Sequence, residues 1–418
     1  MNPPPMQLIV LDTGHASKRR RGEVKLTRHQ LSDTIDAMSS LASPELAILR
    51  LFDHYDVDLD DLRRLLMGLY PFINMNYRMT QMTLNLGVEK GLDVSFSNVK
   101  YRDIAPRVGL QFELAGKDMP TIDIHRARIP TSLFKDIIGD VQIIMNLYGE
   151  PACYKNEEAR SWFLGALFNR IVALFDSTVF NAAASVIPSV MTTRGQIRYR
   201  FSVFGGISLI VVEFHGLANE RLAAIAQVIA ECDACDYTND QLDLPPRIFG
   251  ILSDGSSFEF FVFNGSAKPA IFSHGIFHTT PGSKPYEKLF IKDYNAVPDA
   301  TFIRSLRPIC ETFFYLFLLA YKAGVDRYAE QFAKDGITDS ESYLNWSSAK
   351  ECADEALLLA VDAAKKALAH EDALSIDQRM EEALKCLRES LMALPASHKT
   401  EFELLHAWDE EPEKFFYC

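Results

Sequence analysis

The chain has 418 residues, of which 48% are hydrophobic and 24% are charged, and its formal net charge is −13. This is an ordinary soluble globular composition, and a chain of this size can bury a large core without disulfides or structural metals. The acidic balance argues against tight, non-specific binding of DNA by a broad basic face, although a local basic cleft could still bind it.

The cysteines indicate a reducing compartment, because they are odd in number and scattered along the chain. The longest apolar run, Phe313 to Ala320, is too short to span a bilayer, so we expect no membrane association. We therefore expect an intracellular protein of the nucleus or the cytoplasm. The seven cysteines are Cys153, Cys232, Cys235, Cys310, Cys352, Cys386 and Cys418.

Composition and patterning divide the chain into four regions. Since a domain averages roughly 150 residues, two or three folded units are expected. The regions are a flexible basic arm (1–40), an N-terminal helical region with a β-hairpin (41–150), an α/β domain (151–330) and a C-terminal helical region (331–418).

The arm carries the basic run Lys18-Arg19-Arg20-Arg21. Such a run is typical of a nuclear-import signal or a nucleic-acid contact, and also of a solvated basic stretch in a flexible segment. The next region begins with a helix start at Ser43-Pro44-Glu45. Alternating apolar positions over 107–126 predict its hairpin, which could extend the sheet of the following domain.

The central region shows a clear succession of helices and strands. Arg198 to Phe204 alternates apolar and polar residues, Gly205-Gly206 is a tight-turn signal, and Ser208 to Phe214 is apolar on both faces. The last of these should therefore be a buried central strand. The predicted elements are a helix (Asn156–Phe175), strands (Ser185–Met191, Arg198–Phe204, Ser208–Phe214), a helix (Ala218–Ala234), a strand hairpin (Arg247–Leu252 and Phe258–Phe263 around Asp254-Gly255) and a buried helix (Phe302–Tyr321).

The C-terminal region is predicted to be an antiparallel pair of helices. Capping boxes at Ser348–Glu351 and Ser375–Gln378 mark the two starts, and Pro395 ends the second helix.

The order of elements over about 155–263 resembles the PD-(D/E)XK, or restriction-endonuclease-like, nuclease superfamily, whose core is αβββαβ. The segments Leu209–Gly216 and Ile248–Gly255 carry the resemblance most strongly. It implies an α/β fold with a mixed β-sheet core flanked by helices, to which this chain adds helical regions at both ends. It also implies metal-assisted phosphodiester hydrolysis, in which strand carboxylates hold Mg²⁺ and a lysine two residues beyond the second acid stabilises charge.

Several positions depart from that motif. Glu213 matches the second acid, but the lysine position is His215 and the first-strand acid position is Ser189. The resemblance implies that Glu158, or Glu157 if the register slips by one, is the helix carboxylate that holds metal with Glu213, and that Gln227 is a polar neighbour. A serine hydroxyl is a poor Mg²⁺ ligand and a histidine is mostly neutral at pH 7, so the catalytic motif is degenerate.

Three functions follow from this reading. The first is a catalytically degenerate nuclease-fold protein that binds nucleic acid or another protein, DNA or RNA being held by a local basic surface such as Arg194, Arg198 and Arg200. The second is an active Mg²⁺-dependent DNA or RNA nuclease with a rearranged site, and the third is a pure protein-interaction scaffold. Glu213 could also be a strand-end carboxylate paired with Arg198 or Arg200.

A zinc site is a further possibility to weigh. Cys232 and Cys235 with His274 and His278 have a zinc-like composition, but the gap between the pairs is much longer than in a compact finger. Packing of the two cysteines near a helix end, with the histidines in a loop, is the expectation from spacing and neighbouring glycines and prolines.

Overall fold

The computed structural model describes residues 95–395 except for short internal segments. The basic run at Lys18–Arg21 and the helix start at Ser43 lie outside the described residues, as do Ser185–Met191, Ser189 and His215. The segments left out are 152–153, 155–156, 183–191, 193–196, 198, 214–220, 242–246, 268, 279–283, 296, 298 and 335–340.

A mixed, open β-sheet forms the centre of the described chain. Its order is β1-β7-β6-β5-β4-β3-β2, and β8 pairs with the same edge of β6 as β7 does. The pairs β4–β5 and β1–β7 are parallel and the remaining pairs are antiparallel. The strands are β1 (Thr121–Asp123), β2 (Val179–Asn181), β3 (Tyr199–Val203), β4 (Gly206–Glu213), β5 (Arg247–Ser253), β6 (Ser257–Asn264), β7 (Ile271–Ile276) and β8 (Lys288–Phe290).

Helices cover both faces of this sheet, so the α/β class expected from the sequence is confirmed. The helices are α1 (Tyr101–Ile104), α2 (Thr131–Tyr148), α3 (Glu157–Ala173), α4 (Arg221–Gln241), α5 (Asp299–Lys334), α6 (Glu341–Leu368) and α7 (Ala373–Ala393).

The prediction of a central buried strand is confirmed by β4. Leu209, Ile210 and Val211 are each at most 2% exposed, and β4 lies between β3 and β5. The turn before it holds Gly205 at φ 86°, a left-handed conformation that costs glycine little. The apolar run thus sets both the depth of β4 and its place in the sheet.

One face of the sheet packs against α3 and α5 through aromatic side chains. Phe168 of α3 makes edge-to-face contacts with Tyr199 and Phe201 of β3 and with Phe313 of α5. Phe201 in turn contacts Phe317 in the same geometry. Edge-to-face contacts between rings are attractive beyond the free energy gained by burying their surface, so this aromatic layer holds α3 and α5 on the sheet.

The predicted buried helix is α5. Among the described residues it is the one helix long and apolar enough to cross a membrane, and most of its apolar stretch is buried inside the fold. The stripe from Phe313 to Tyr321 faces α3 and the sheet, as the sequence pattern predicted. Burial of this kind is ordinary for a core helix.

The opposite face of the sheet is covered by α4. Gly250 of β5 lies under this helix, and a Cβ there would come 2.7 Å from Val228 Cγ1 and 3.4 Å from Cys232 Sγ. The side of α4 that faces away from the sheet packs against the turns and short helix of residues 96–108, so α4 is buried on nearly all sides. It therefore shows little amphipathic patterning.

The two C-terminal helices form the predicted antiparallel pair. Ser390 Oγ near the end of α7 donates to Ala349 O near the start of α6 at 2.6 Å. The expected capping boxes are wrong, because α6 begins at Glu341, ahead of Ser348, and α7 is capped by Asp372, whose side chain accepts from Ser375 N. The helix end before Pro395 is confirmed.

The hairpin expected over 107–126 is also wrong. The segment forms 3₁₀ turns at Ala105–Val108 and Phe112–Leu114 and then the short strand β1. That strand pairs in parallel with β7, so the region does extend the sheet. The alternating apolar residues belong to separate turns, each of which packs on a different neighbour. A period-two pattern alone does not distinguish such turns from a strand.

Candidate functional site

The site expected from the sequence falls at the edge of the sheet where the parallel strands β4 and β5 end. Glu213 is the last residue of β4 and stands in register with Ser253, the last residue of β5. Helix α4 begins at Arg221, on the chain that leaves this edge. In open α/β sheets, ligands bind outside the carboxyl ends of the strands, so we call this region the carboxyl edge.

The other described site residues are distributed around this edge on separate helices. Glu158 is exposed in the first turn of α3, and Gln227 lies in the second turn of α4. These helices cover opposite faces of the sheet, so the described structure does not bring the two side chains together. Gln227 Nε2 instead donates to Glu231 Oε1 at 2.7 Å, which gives its amide a structural partner.

A charged cluster that sequence reasoning missed lies on the α4 side of the carboxyl edge. Its centre is Glu259 of β6, which is 4% exposed. Arg221 donates to this carboxylate from Nε at 3.0 Å and from Nη2 at 2.5 Å, and Lys288 Nζ lies 2.5 Å from Oε1. His274 Nε2 is 3.4 Å away and its ring stacks on Phe261. We call these four charged or titratable residues the Glu259 cluster.

The electrostatics of the cluster keep Glu259 ionised. Burial alone raises the pKa of its carboxyl, but the nearby His274 ring and the contacts from Arg221 and Lys288 lower that pKa well below its usual range. The Glu259 carboxylate is thus paired with both cations next to it, and the cluster connects α4 with β6, β7 and β8. A buried carboxylate with this many donors is a structural anchor for the start of α4.

One sequence signal could have found this cluster. Glu259 is the single charged residue in the apolar strand Phe258–Phe263, at a position whose neighbours are all buried. A charge inside such a strand needs partners on adjacent elements. The sequence alone does not identify those partners, because Arg221, His274 and Lys288 lie on three other elements.

The α3 side of the carboxyl edge contains a polar cavity of about 420 Å³. Arg160 of α3 and Lys292 contribute cations to its wall, and neither side chain forms an ion pair with a residue that the structure describes. Arg160 Nε donates to Tyr154 O at 3.1 Å. Among the described residues, no other acceptor binds its guanidinium group.

The acids of this cavity are held by nearby donors. Asp254 accepts hydrogen bonds from the backbone and hydroxyl groups of Ser256 and Ser257, at 2.6 to 2.9 Å. Burial raises the pKa of Asp254, and these four donors lower it to a net value below normal. Glu150 accepts from the side-chain amide of Asn295, whose backbone N–H is bound by Asp293. Three acids and two cations thus line the cavity, and the acids are the more fully hydrogen-bonded of these charges.

Within the described ranges, no group of three or more His, Cys, Asp or Glu side chains is placed to hold a metal ion. Cys232 and Cys235 are fully buried, and burial raises the pKa of both thiols well above the ordinary value, which disfavours the thiolate that binds zinc. The packing of these cysteines is confirmed, but their expected place near a helix end is wrong, because they lie in the middle of α4. The loop expected around His274 is wrong, since this residue lies in β7, while His278 pairs with Asp123 at 2.9 Å.

Comparison of the chain with protein-family models, curated proteins and solved structures found no significant match.

Proposed function

We propose that this is a catalytically degenerate nuclease-fold protein that binds nucleic acid at the carboxyl edge. The observation that carries the proposal is the order α3-β2-β3-β4-α4-β5 around one mixed sheet, which agrees with the αβββαβ core of the PD-(D/E)XK superfamily. The described first strand is Val179–Asn181, ahead of the segment expected from the sequence, and it pairs with β3 as a meander requires. Ser189, which the sequence motif puts at the first-strand acid position, follows this strand and lies outside the described residues.

Loss of catalysis is supported by residue chemistry. Glu213 stands at the end of β4, where the family places a metal-binding acid, but the accompanying positions are Ser189 and His215. Mg²⁺ requires oxygen ligands of high charge density, and a phosphodiester hydrolase also needs positive charge at the scissile phosphate. Each missing group lowers the rate by orders of magnitude.

Binding is supported by the two cations of the polar cavity. Arg160 and Lys292 lie on the α3 side of the carboxyl edge, where neither has an ion-pair partner among the described residues. Phosphate groups of a nucleic acid are the complementary ligands, since guanidinium and ammonium groups donate strongly to them. With a net charge of −13, we expect contact confined to this edge.

The test is fluorescence anisotropy with labelled single-stranded DNA, duplex DNA and single-stranded RNA, in buffers of increasing salt. We expect saturable binding at low salt that the double variant Arg160→Ala/Lys292→Ala weakens. The slope of the logarithm of the binding constant against the logarithm of the salt concentration should become shallower by the contribution of about two phosphate contacts. The matched control is Lys385→Ala/Arg388→Ala, which removes two exposed cations of α7 and should bind like wild type. Equal binding by both double variants would count against a site at this edge, and absence of binding would favour a protein scaffold.

The catalytic part of the proposal has its own assay. Incubation of the same nucleic acids with Mg²⁺ or Mn²⁺ should give little or no cleavage. The double change Ser189→Asp with His215→Lys should raise metal affinity. Robust wild-type cleavage that Glu213→Ala abolishes would instead establish an active nuclease with a rearranged site.

A further inference from the structure

A second cavity, of about 340 Å³, lies between α5 and the sheet, and Ser208 and Arg247 line it near the amino ends of β4 and β5. Its floor is formed by Phe249 of β5 and Val262 of β6, which are neighbours in register. The cavity is a cleft that opens to solvent, and α5 and the sheet bound its interior. The other apolar lining residues include Ile122, Ile124, Leu316, Leu319 and Leu357.

The charges around this cavity pair with one another, with one exception. Asp123 is 2.9 Å from His278, and Asp326 is 2.5 Å from Lys322. Lys322 also binds Asp354 of α6 at 2.7 Å. Arg247, the first residue of β5, is exposed and lines the cavity, and no described residue forms an ion pair or a hydrogen bond with its guanidinium group. The cavity therefore has an apolar interior and one available cation.

We infer that this cavity binds an amphipathic monoanion, with an apolar body inside and a single carboxylate at Arg247. The volume falls within the range of small-molecule sites, roughly 300–1,000 Å³, which are mostly apolar with a few placed polar groups. A guanidinium group suits a carboxylate because it can donate two parallel hydrogen bonds. A dianion would fit poorly, because the remaining cation that lines the cavity is already paired with two acids.

Isothermal titration calorimetry with decanoate tests the inference, with decanol and decylammonium as neutral and cationic probes of the same apolar body. We expect saturable one-to-one binding of decanoate and weaker binding of the other two. Arg247→Ala should weaken decanoate binding about tenfold to a hundredfold and leave decanol binding unchanged. Arg388→Ala, which removes an exposed arginine of α7, is the matched control and should bind decanoate like wild type.

A second variant examines the apolar part. Leu357→Trp adds volume from the partly exposed face of α6 and should reduce binding of decanoate and decanol alike. Decanoate should also raise the thermal unfolding temperature of wild type, by linkage, and not that of Arg247→Ala at the same concentration. Absence of saturable decanoate binding, or equal affinity in wild type and Arg247→Ala, would overturn the inference. It does not depend on nucleic-acid binding, whose variants lie at the opposite edge.

Discussion

Glu231 lies in the middle of α4 with 2% of its surface exposed. Burial raises the pKa of its carboxyl to about 8, against a lowering effect of the hydrogen bond from Gln227. The unfolded chain should have a pKa near the ordinary 4.5. Between these values the folded state binds one more proton than the unfolded state, so the stability that the neutral acid gives is complete below about pH 4.5 and is lost as the pH rises through 8.

We therefore expect Glu231→Gln to flatten the dependence of stability on pH. Glutamine keeps the oxygen that accepts from Gln227 and cannot ionise, so the variant should match wild type near pH 5 and exceed it above pH 8 by roughly several kcal/mol. Urea unfolding followed by circular dichroism across this range provides the measurement. Parallel stability curves for the two proteins would show that Glu231 does not titrate in this way.

The Glu259 cluster should behave in the opposite sense. Its acid has a lowered pKa, so the stability that it gives is present above about pH 4.5 and is lost as the pH falls. Glu259→Gln should destabilise the protein at pH 7 by about 1–3 kcal/mol, a figure reduced because Arg221 and Lys288 are about a third exposed and can rehydrate.

The control for that variant is Glu382→Gln, which removes an exposed partner of Arg379. Its effect should stay within about 0.5 kcal/mol. The difference in unfolding free energy between Glu259→Gln and wild type should shrink as the pH falls below 4.5. A constant difference down to low pH would assign the loss to packing rather than to charge.

Among single residues, the sequence identified buried apolar positions much better than buried polar ones. Leu209 and Val211 follow from an apolar run, whereas Glu231 is indistinguishable in sequence from a surface acid, and Glu259 signals only that it needs a partner. Glu231 is paired within α4 by Gln227, but the partners of Glu259 lie on elements distant in sequence, which periodicity does not record. Glu213 was placed at a strand end, and the strand confirms that position.

At the level of elements, the contact between β5 and α4 depends on a missing side chain. A Cβ at Gly250 would come within 2.7 Å of a Val228 methyl group, whose rotamer is restricted. We expect Gly250→Ala to destabilise the protein by about 1–3 kcal/mol through overpacking, measured by urea unfolding.

Gly139 of α2 gives the matched comparison. It is exposed in a helix, and a Cβ there would meet nothing within 4 Å. Gly139→Ala should stabilise the protein by about 0.5–1 kcal/mol, because alanine loses less backbone freedom on folding. If both substitutions changed the free energy of unfolding by a similar amount, β5 and α4 would have to move apart at Gly250 without a cost in free energy.

Elements with strong periodicity were found, although α5 runs on to Lys334 where Tyr321 was expected and α4 runs on to Gln241 where Ala234 was expected, and short elements were missed. The helix expected at Asn156–Phe175 is observed as Glu157–Ala173, whereas β7 and β8 lie in a stretch with glycines and prolines that indicated a loop. Local capping signals also failed, because a serine within α6 has the same spacing to its glutamate as a true cap.

For the molecule as a whole, α6 is joined to the sheet layer by Trp346. This side chain is fully buried, stacks on Tyr328 of α5 at 4.6 Å and contacts Phe204 edge-on at 5.5 Å. Phe204 follows β3 directly, so one aromatic group connects the C-terminal helices, α5 and the sheet.

Trp346→Ala should destabilise the described unit by about 3–5 kcal/mol while unfolding remains a single transition. Leu344→Ala, at an exposed position of the same helix, should change stability by less than about 0.5 kcal/mol. Far-ultraviolet circular dichroism and tyrosine fluorescence should give coincident urea curves. Two separate transitions in wild type would mean that the C-terminal helices unfold independently.

The parallel pairing of β1 with β7 has a consequence for how the chain reaches this structure. Thr121 pairs with His274, so about 150 residues must be in place before this part of the sheet can close, and a closure of that length is entropically costly. During synthesis at roughly 5–20 residues per second, β1 waits for about eight to thirty seconds after it leaves the ribosome. We expect the neighbouring strands β3 to β6 to assemble first and β1 to dock last. A nascent chain arrested before Ile271 should therefore be cleaved by protease near β1, and the completed chain should resist cleavage there.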